Sequence, residues 1–142
     1  MQTRRRVSSR PIGGNNATPG GACTGDCNLI NGNMGDGLRM GAWQSTGPMS
    51  NTISGNYIGV NISGTAAISN TNSGIYISDG ANNNTIGGDS PSERNVISGN
   101  DADGMTIWNS SHNRVIGNYI GATSDGMGAL PNAGRDGLGS FA

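Results

Sequence analysis

The sequence predicts an all-β chain wound as a single-stranded parallel β-helix, about four coils of three short strands each. Three observations carry this: a composition rich in glycine and poor in large apolar residues, an internal repeat, and a fixed rotation of three strand types.

Of 142 residues, 32% are hydrophobic, 4% are aromatic and 26 are glycine. So little apolar material excludes a thick conventional core. Disorder is the other reading of such a composition, but it normally brings high net charge, and here only 12% of residues are charged, with a formal net of -1. Short pairs of Ile, Val, Leu and Met recur instead, separated by Gly and Asn that supply turns.

Residues 15–40 align with 82–107 at an offset of 67, "NNATPGG" on "NNNTIGG", "CNLINGN" on "RNVISGN" and "DGLRM" on "DGMTI". "NTISGNYIG" (51–59) aligns with "NRVIGNYIG" (113–121) at an offset of 62. The unit is thus about 65 residues long, occurs twice, and holds two coils.

Within it, strands of three kinds follow one another. The first kind follows a glycine: "GLRM" from Gly37, "GIYI" from Gly74, "GMTI" from Gly104 and "GLGS" from Gly137. The second is "NATPGG", "NTISGN", "NTIGG" and "NRVIGN"; the third is "NLINGN", "AAISN", "NVISGN" and "ALPN". The order along the chain is second, third, first, four times over, as a three-sided coil requires and a hairpin-built sandwich does not. Coils stacked at the ~4.8 Å strand spacing form a rod about 20 Å long, whose narrow interior needs few apolar residues.

Alternation assigns the inward side chains. One wall takes Leu38, Met40, Ile75, Ile77, Met105 and Ile107, the next Ile53, Ile86 and Val115, and the third Ile30, Ile68, Ile97 and Leu130, with Ile58 and Ile120 filling a corner. Thr52, Thr85 and Arg114 face solvent. Asn33, Asn70, Asn100 and Asn132 end the third strand of each coil, where an αL residue suits the turn and stacked amides bond coil to coil.

Residues 1–11 form a basic N-terminal tail and 12–142 the β-helix. There is no Lys, and Arg4, Arg5, Arg6 and Arg10 lie in the first ten residues; beyond them the charges sum to 4 minus 9, or -5. Without interleaved aromatics or a helical frame this tail is read as solvated, with no nucleic-acid partner. No apolar run is long enough for a signal-peptide core or a membrane span, so no membrane insertion is expected. Cys23 and Cys27, in "CTGDC", are read as a local disulfide pinning a Gly-rich loop, or else as two free thiols; the disulfide implies an oxidising, extracellular setting.

The phrases "NTIGG", "RNVISGN", "GNYIGA", "GALPN" and "DGL" closely resemble the parallel β-helix repeat proteins of the pectin-lyase-like superfamily, in particular bacterial secreted or surface proteins that carry them in tandem. The resemblance spans residues 12–140. Together with general chirality it implies a right-handed coil. It also implies where an enzyme of this kind keeps its chemistry: clustered acids with Arg or Lys on one outer wall, sometimes with calcium. The one repeated acid is Asp36, Asp103 and Asp136, each preceding the glycine of a first-kind strand, with Ser73 at the fourth place. Asp103 and Asp136 on adjacent coils come within about 5 Å, near enough to perturb one pKa or share Ca2+. The plainer reading is that Asp-Gly makes a good turn.

The acid and base sets of pectate lyases and polygalacturonases are not recognisable, and His112 has no acid beside it. Arg114, next to His112, is read either as a cation for an acidic sugar or simply as an outward strand residue. Tyr57 and Tyr119 are repeat equivalents, and Trp43 and Trp108 follow equivalent strands, so the four are either an aromatic platform for a polysaccharide or corner packing.

"DGLGSFA" enters a fresh strand without a capping segment, and nothing before residue 12 resembles a cap. Either the chain is a fragment of a longer β-helix or its ends meet in head-to-tail homo-assembly. The expected function is a non-catalytic extracellular or cell-surface module acting in structure, adhesion or self-assembly, with no cofactor. The alternative is a fragment of a polysaccharide lyase, hydrolase or epimerase, with Asp103, Asp136 and Arg114 on its active wall.

Overall fold

The computed structural model describes residues 11–41, 47–134 and 138–141. The Arg-rich residues 1–10, Trp43 and Asp136 lie outside the described residues. Among the described residues the structure is nearly all β, with twelve short strands and one 3-10 turn at Pro91–Glu93. The strands are β1 (Pro11–Gly13), β2 (Leu29–Ile30), β3 (Leu38–Met40), β4 (Thr52–Ser54), β5 (Tyr57–Ile58), β6 (Ile75–Ser78), β7 (Thr85–Gly87), β8 (Val96–Ile97), β9 (Met105–Trp108), β10 (Arg114–Ile116), β11 (Tyr119–Ile120) and β12 (Leu138–Phe141).

They form three parallel sheets of four strands: sheet I is β1-β4-β7-β10, sheet II is β2-β5-β8-β11 and sheet III is β3-β6-β9-β12. Successive strands fall in sheets I, II, III in strict rotation, so the chain makes four tiers of three strands, an arrangement compatible with a parallel β-helix. Register is exact from tier to tier. Ile12, Ile53, Ile86 and Val115 line up in sheet I, Ile30, Ile58, Ile97 and Ile120 in sheet II, and Leu38, Ile75 and Met105 in sheet III.

These residues are the core. Met40, Ile53, Ile58, Ile75, Ile77, Ile86, Ile97 and Met105 are buried, while Ile12, Ile30 and Leu38 in the first tier and Val115 and Ile120 in the fourth pack on them half-covered.

Two assignments from the sequence are corrected. "NATPGG" (16–21) is not a strand; the first strand of sheet I is Pro11–Gly13, paired with Thr52–Ser54. The third wall is built by Ile58 and Ile120, not by Ile68, which is 45% exposed, or Leu130, which packs outside sheet II. "AAISN" and "ALPN" are the returning limbs of loops, held by the antiparallel bridges Val60 to Ala67 and Ala122 to Ala129.

Those loops explain why the repeat contains two tiers. Tiers one and three carry a long insert between sheets I and II (residues 14–27 and 88–94), and tiers two and four carry theirs between sheets II and III (60–69 and 122–131). Each insert leaves its strand through a glycine in the left-handed region: Gly13 (φ 80), Gly59 (φ 89), Gly87 (φ 96) and Gly121 (φ 81). An insert that goes out and returns is two chains thick, about twice the ~4.8 Å height of a tier, so one edge accepts an insert only in alternate tiers. The inserts then meet across the intervening tier. Asn16 N donates to Ser92 O at 2.9 Å, joining the first and third inserts. Ser124 N donates to Gly64 O at 2.9 Å and Ser124 Oγ to Ser63 O at 2.9 Å, joining the second and fourth.

Candidate functional site

Where no insert intervenes, the chain turns from one sheet to the next through a left-handed residue followed by an asparagine. The pairs are Gly32-Asn33, Gly55-Asn56, Gly99-Asn100 and Gly117-Asn118, together with Ser50-Asn51 (φ 60 at Ser50), Asn83-Asn84 (φ 56) and His112-Asn113 (φ 57) between sheets III and I. The αL residue is therefore the one before the asparagine. None of Asn33, Asn70, Asn100 and Asn132 has a positive φ, which corrects the expectation for them. It also explains His112: it is an exposed turn residue whose Nδ1 lies 3.1 Å from Ser111 Oγ.

Each edge between sheets carries a row of asparagines. Between sheets II and III, Asn33 Nδ2 donates to Asn70 Oδ1 at 2.8 Å, Asn70 Nδ2 to Asn100 Oδ1 at 2.8 Å and Asn100 Nδ2 to Asn132 Oδ1 at 2.9 Å. Between sheets I and II, Asn28 N donates to Asn56 Oδ1 at 3.2 Å, Asn56 Nδ2 to Asn95 Oδ1 at 3.2 Å and Asn95 Nδ2 to Asn118 Oδ1 at 2.9 Å. Between sheets III and I, Asn51 Nδ2 donates to Asn84 Oδ1 at 3.0 Å and Asn84 Nδ2 to Asn113 Oδ1 at 2.9 Å. The second amide hydrogen goes backwards to a carbonyl of the preceding tier, as from Asn95 to Ile53 O at 2.8 Å and from Asn70 to Ile30 O at 3.2 Å. An interior asparagine thus uses both donors and its acceptor between tiers. Only the row at Asn33 was visible in the sequence; the phrase "GN" before "YIG" was the signal for the second row.

The aspartates of the repeated Asp-Gly step are also engaged. Asp36 Oδ1 accepts from Ser73 N at 3.1 Å and its Oδ2 pairs with Arg39 at 3.0 Å, with the carboxylate side chain only 6% exposed. Asp103 Oδ2 accepts from Thr106 Oγ1 at 3.1 Å, and Thr106 Oγ1 lies 3.4 Å from Ser73 Oγ. Asp36 and Asp103 are separated by the tier that holds Ser73. Among the described residues no three His, Cys, Asp or Glu side chains come together as metal ligands. Arg114 is exposed on sheet I, in register with Thr85, and reaches only 4.0 Å from the exposed Asp89. A pair so exposed contributes little.

Among the described residues, Tyr57, Tyr119 and Trp108 do not form a shared face. Tyr57 is 1% exposed, donates its hydroxyl to Gly21 O, and packs with Cys23, Val60 and Val96 in a second cluster outside sheet II. Val96 stands between Tyr57 and Tyr119 in the sheet, so the two tyrosines do not stack. Tyr119 is half-buried, with the Arg94 guanidinium 4.0 Å over its ring and the Arg94 Nε donating to Gly117 O at 3.0 Å. Trp108 ends β9 between Ser78 and Phe141 and is 40% exposed. The residue pair "YI" is apolar on both faces because sheet II is covered on its outside by the inserts.

The first insert is the lid over Tyr57. Cys23 and Cys27 are joined in a disulfide, Cys23 N donates to Ile62 O at 2.8 Å, and Cys23 itself is buried against the tyrosine. Closing a loop with a sequence separation of 4 stabilises by about 2 kcal/mol in the chain-entropy account. The double variant Cys23→Ala, Cys27→Ala is expected to lose about that much, and tyrosine fluorescence quenching by acrylamide is expected to rise as the lid over Tyr57 loosens. Unchanged quenching would show that the lid is held without the bridge.

Two surface carboxylates in the inserts are held below their ordinary pKa by hydrogen bonds. Glu93 accepts from the Ser90 hydroxyl and from Ser90 N, and Asp125 accepts from the Thr123 hydroxyl and Met127 N. A depressed folded pKa means that these bonds help above the ordinary carboxylate range and are lost as pH falls through the folded value. Both belong to loop turns, where the hydroxyl and backbone N–H that each accepts from close the turn.

No helix among the described residues is long and apolar enough to cross a membrane. Comparison of the chain with protein-family models, with curated proteins and with solved structures finds no match.

Proposed function

We propose that the chain is a non-catalytic structural module of an extracellular or cell-surface protein, its tiers being the coils of a right-handed parallel β-helix of the pectin-lyase-like kind. The observation that carries this reading is the use made of the polar side chains. Asparagines that line all three edges, and the carboxylates of Asp36 and Asp103, are committed to hydrogen bonds within the wall. A catalytic wall needs the opposite, acids and bases presented toward substrate with hydrogen-bonding capacity to spare. Among the described residues no buried side-chain nitrogen or oxygen lacks a partner. The Cys23–Cys27 disulfide suits an oxidising compartment, in keeping with a secreted setting. Stacked tiers of this kind lengthen by addition, the property required of a stalk or a spacer.

The test is incubation of the folded chain with a panel of acidic and neutral polysaccharides, with and without Ca2+, following unsaturated products and new reducing ends. No product is expected. Cleavage of an acidic polysaccharide that disappears in Asp103→Asn would replace this reading with the alternative, a fragment of a polysaccharide-degrading enzyme.

A further inference from the structure

The alternation of inserts has a consequence at the two outer tiers. Their strands β1, β2 and β3 on one side, and β10, β11 and β12 on the other, each have one neighbour among the described residues, and each outer tier leaves apolar side chains half-covered, Ile12, Ile30 and Leu38 at one end and Val115 and Ile120 at the other. Open parallel edges of this kind accept another strand.

Which strand fits is decided by three features together. Past the fourth tier, whose insert lies between sheets II and III, the alternation calls for a tier with its insert between sheets I and II. The first tier is such a tier. The rows of asparagine have a direction: each interior side chain accepts at Oδ1 from the earlier tier while backbone N and Nδ2 donate to the later one, so the later-tier side of a row, reached at Asn118, is its donor side. Donor then meets acceptor only when the last tier faces a first tier. The core register carries on in the same sense, with Val115 over Ile12 and Ile120 over Ile30, as the columns already run inside the chain. Two first tiers face to face would set acceptor against acceptor and run their strands in opposition.

We propose that the occupant of each open edge is a second copy of this chain, joined head to tail so that β10, β11 and β12 of one copy pair with β1, β2 and β3 of the next. The inference rests on the reading of the chain as a structural module. A heterologous contact of this kind does not close on itself in a straight rod, and it propagates to a filament one rod wide.

In this junction Tyr119 of one copy stands opposite Leu29 of the next, because Leu29, Tyr57, Val96 and Tyr119 form one column of sheet II. Within a copy the two are three strand spacings apart, about 14 Å, which is beyond the ~7 Å that a disulfide spans. The double variant Leu29→Cys, Tyr119→Cys, oxidised mildly and run without reductant, is expected to give a ladder of multimers whose linking peptide joins 29 to 119 by mass spectrometry, with no ladder from either single variant. The native chain is expected to sediment as a series of masses that grows with concentration, with rods of one width in micrographs. A native chain that stays monomeric over a wide concentration range, or links found as 29 to 29 or 119 to 119, would overturn the junction. Should the variants fail to fold, the native sedimentation series alone decides. A monomer that cleaves no polysaccharide overturns the junction and leaves the structural reading standing, whereas polysaccharide cleavage lost in Asp103→Asn overturns the structural reading whatever the association.

Discussion

Replacing Asn95 by Asp is expected to cost about 3–5 kcal/mol of folding free energy at neutral pH, a large part of the stability of a domain this size. Asn95 is fully buried; its Oδ1 accepts from Asn56 N and Nδ2, and its Nδ2 donates to Ile53 O at 2.8 Å and Asn118 Oδ1 at 2.9 Å. Aspartate keeps the accepting oxygen and turns the other side into a second oxygen facing two oxygens. The new carboxyl is therefore harder to ionise in the folded chain than in the unfolded one, and its folded pKa is raised. With a raised pKa the unfolded chain releases the proton first, so the penalty grows as pH rises from the ordinary aspartate value and recedes on acidification. Urea unfolding of the variant at neutral and at acid pH, against the native chain at the same pH, measures both parts. Asn28→Asp, at the exposed end of the same row, is the control: only its backbone N–H enters the row, and its cost is expected to stay below about 1 kcal/mol. Equal losses at the two positions would mean that the row does not act as a buried chain of donors.

Gly87→Ala is expected to lose about 2–4 kcal/mol, the sum of a left-handed residue that acquires a Cβ and a backbone that must move aside. Gly87 has φ 96, and a Cβ there would lie 1.9 Å from the carbonyl oxygen of Ile116 in the next tier. No rotamer relieves that contact, so β7 and β10 must part. Gly20→Ala separates the two causes: its φ of 86 is nearly the same, but nothing lies within 4 Å of its Cβ. There the expected loss is about 1 kcal/mol, from conformation alone. A loss at Gly87 no larger than that at Gly20 would show that the tiers yield easily along the axis.

Much of the wall was legible in the chain. Period-2 alternation identified Leu38, Met40, Ile75, Ile77, Met105, Ile53 and Ile86 as inward residues, and all pack in the core or against it. The repeat identified the strict rotation of strand types. Two confusions arose where local patterns coincide. "AAISN" and "ALPN" read as strands because a returning loop limb and a core strand have the same short apolar pairs, and only the pairing of Tyr57–Ile58 with Val96–Ile97 distinguishes them. "NATPGG" aligned with a strand because it begins the same Asn-rich phrase as "NNNTIGG", yet its residues turn back through the bridge of Asn16 to Gly25. The candidate site was less legible still. Equivalent positions in a two-tier repeat suggest neighbours, but repeat equivalents such as Tyr57 and Tyr119 are two tiers apart, with Val96 between them. The acids of the Asp-Gly step likewise read as a row, whereas Asp36 turns inward to the backbone of Ser73.

The sequence by itself determined the all-β class, the rotation of three strand types and the two-tier repeat, because those follow from short-range alternation and from turn residues, which the chain states locally. Tertiary structure alone decided that inserts alternate between two edges and touch across a tier, that three rows of asparagine run through the wall rather than one, and that Tyr57 lies beneath the disulfide-bonded loop. These depend on which residues stand one strand spacing apart along the stack. That distance separates residues 23 to 41 positions apart in the chain, as Val96 and Tyr119 or Pro11 and Thr52 are, and no local pattern records it.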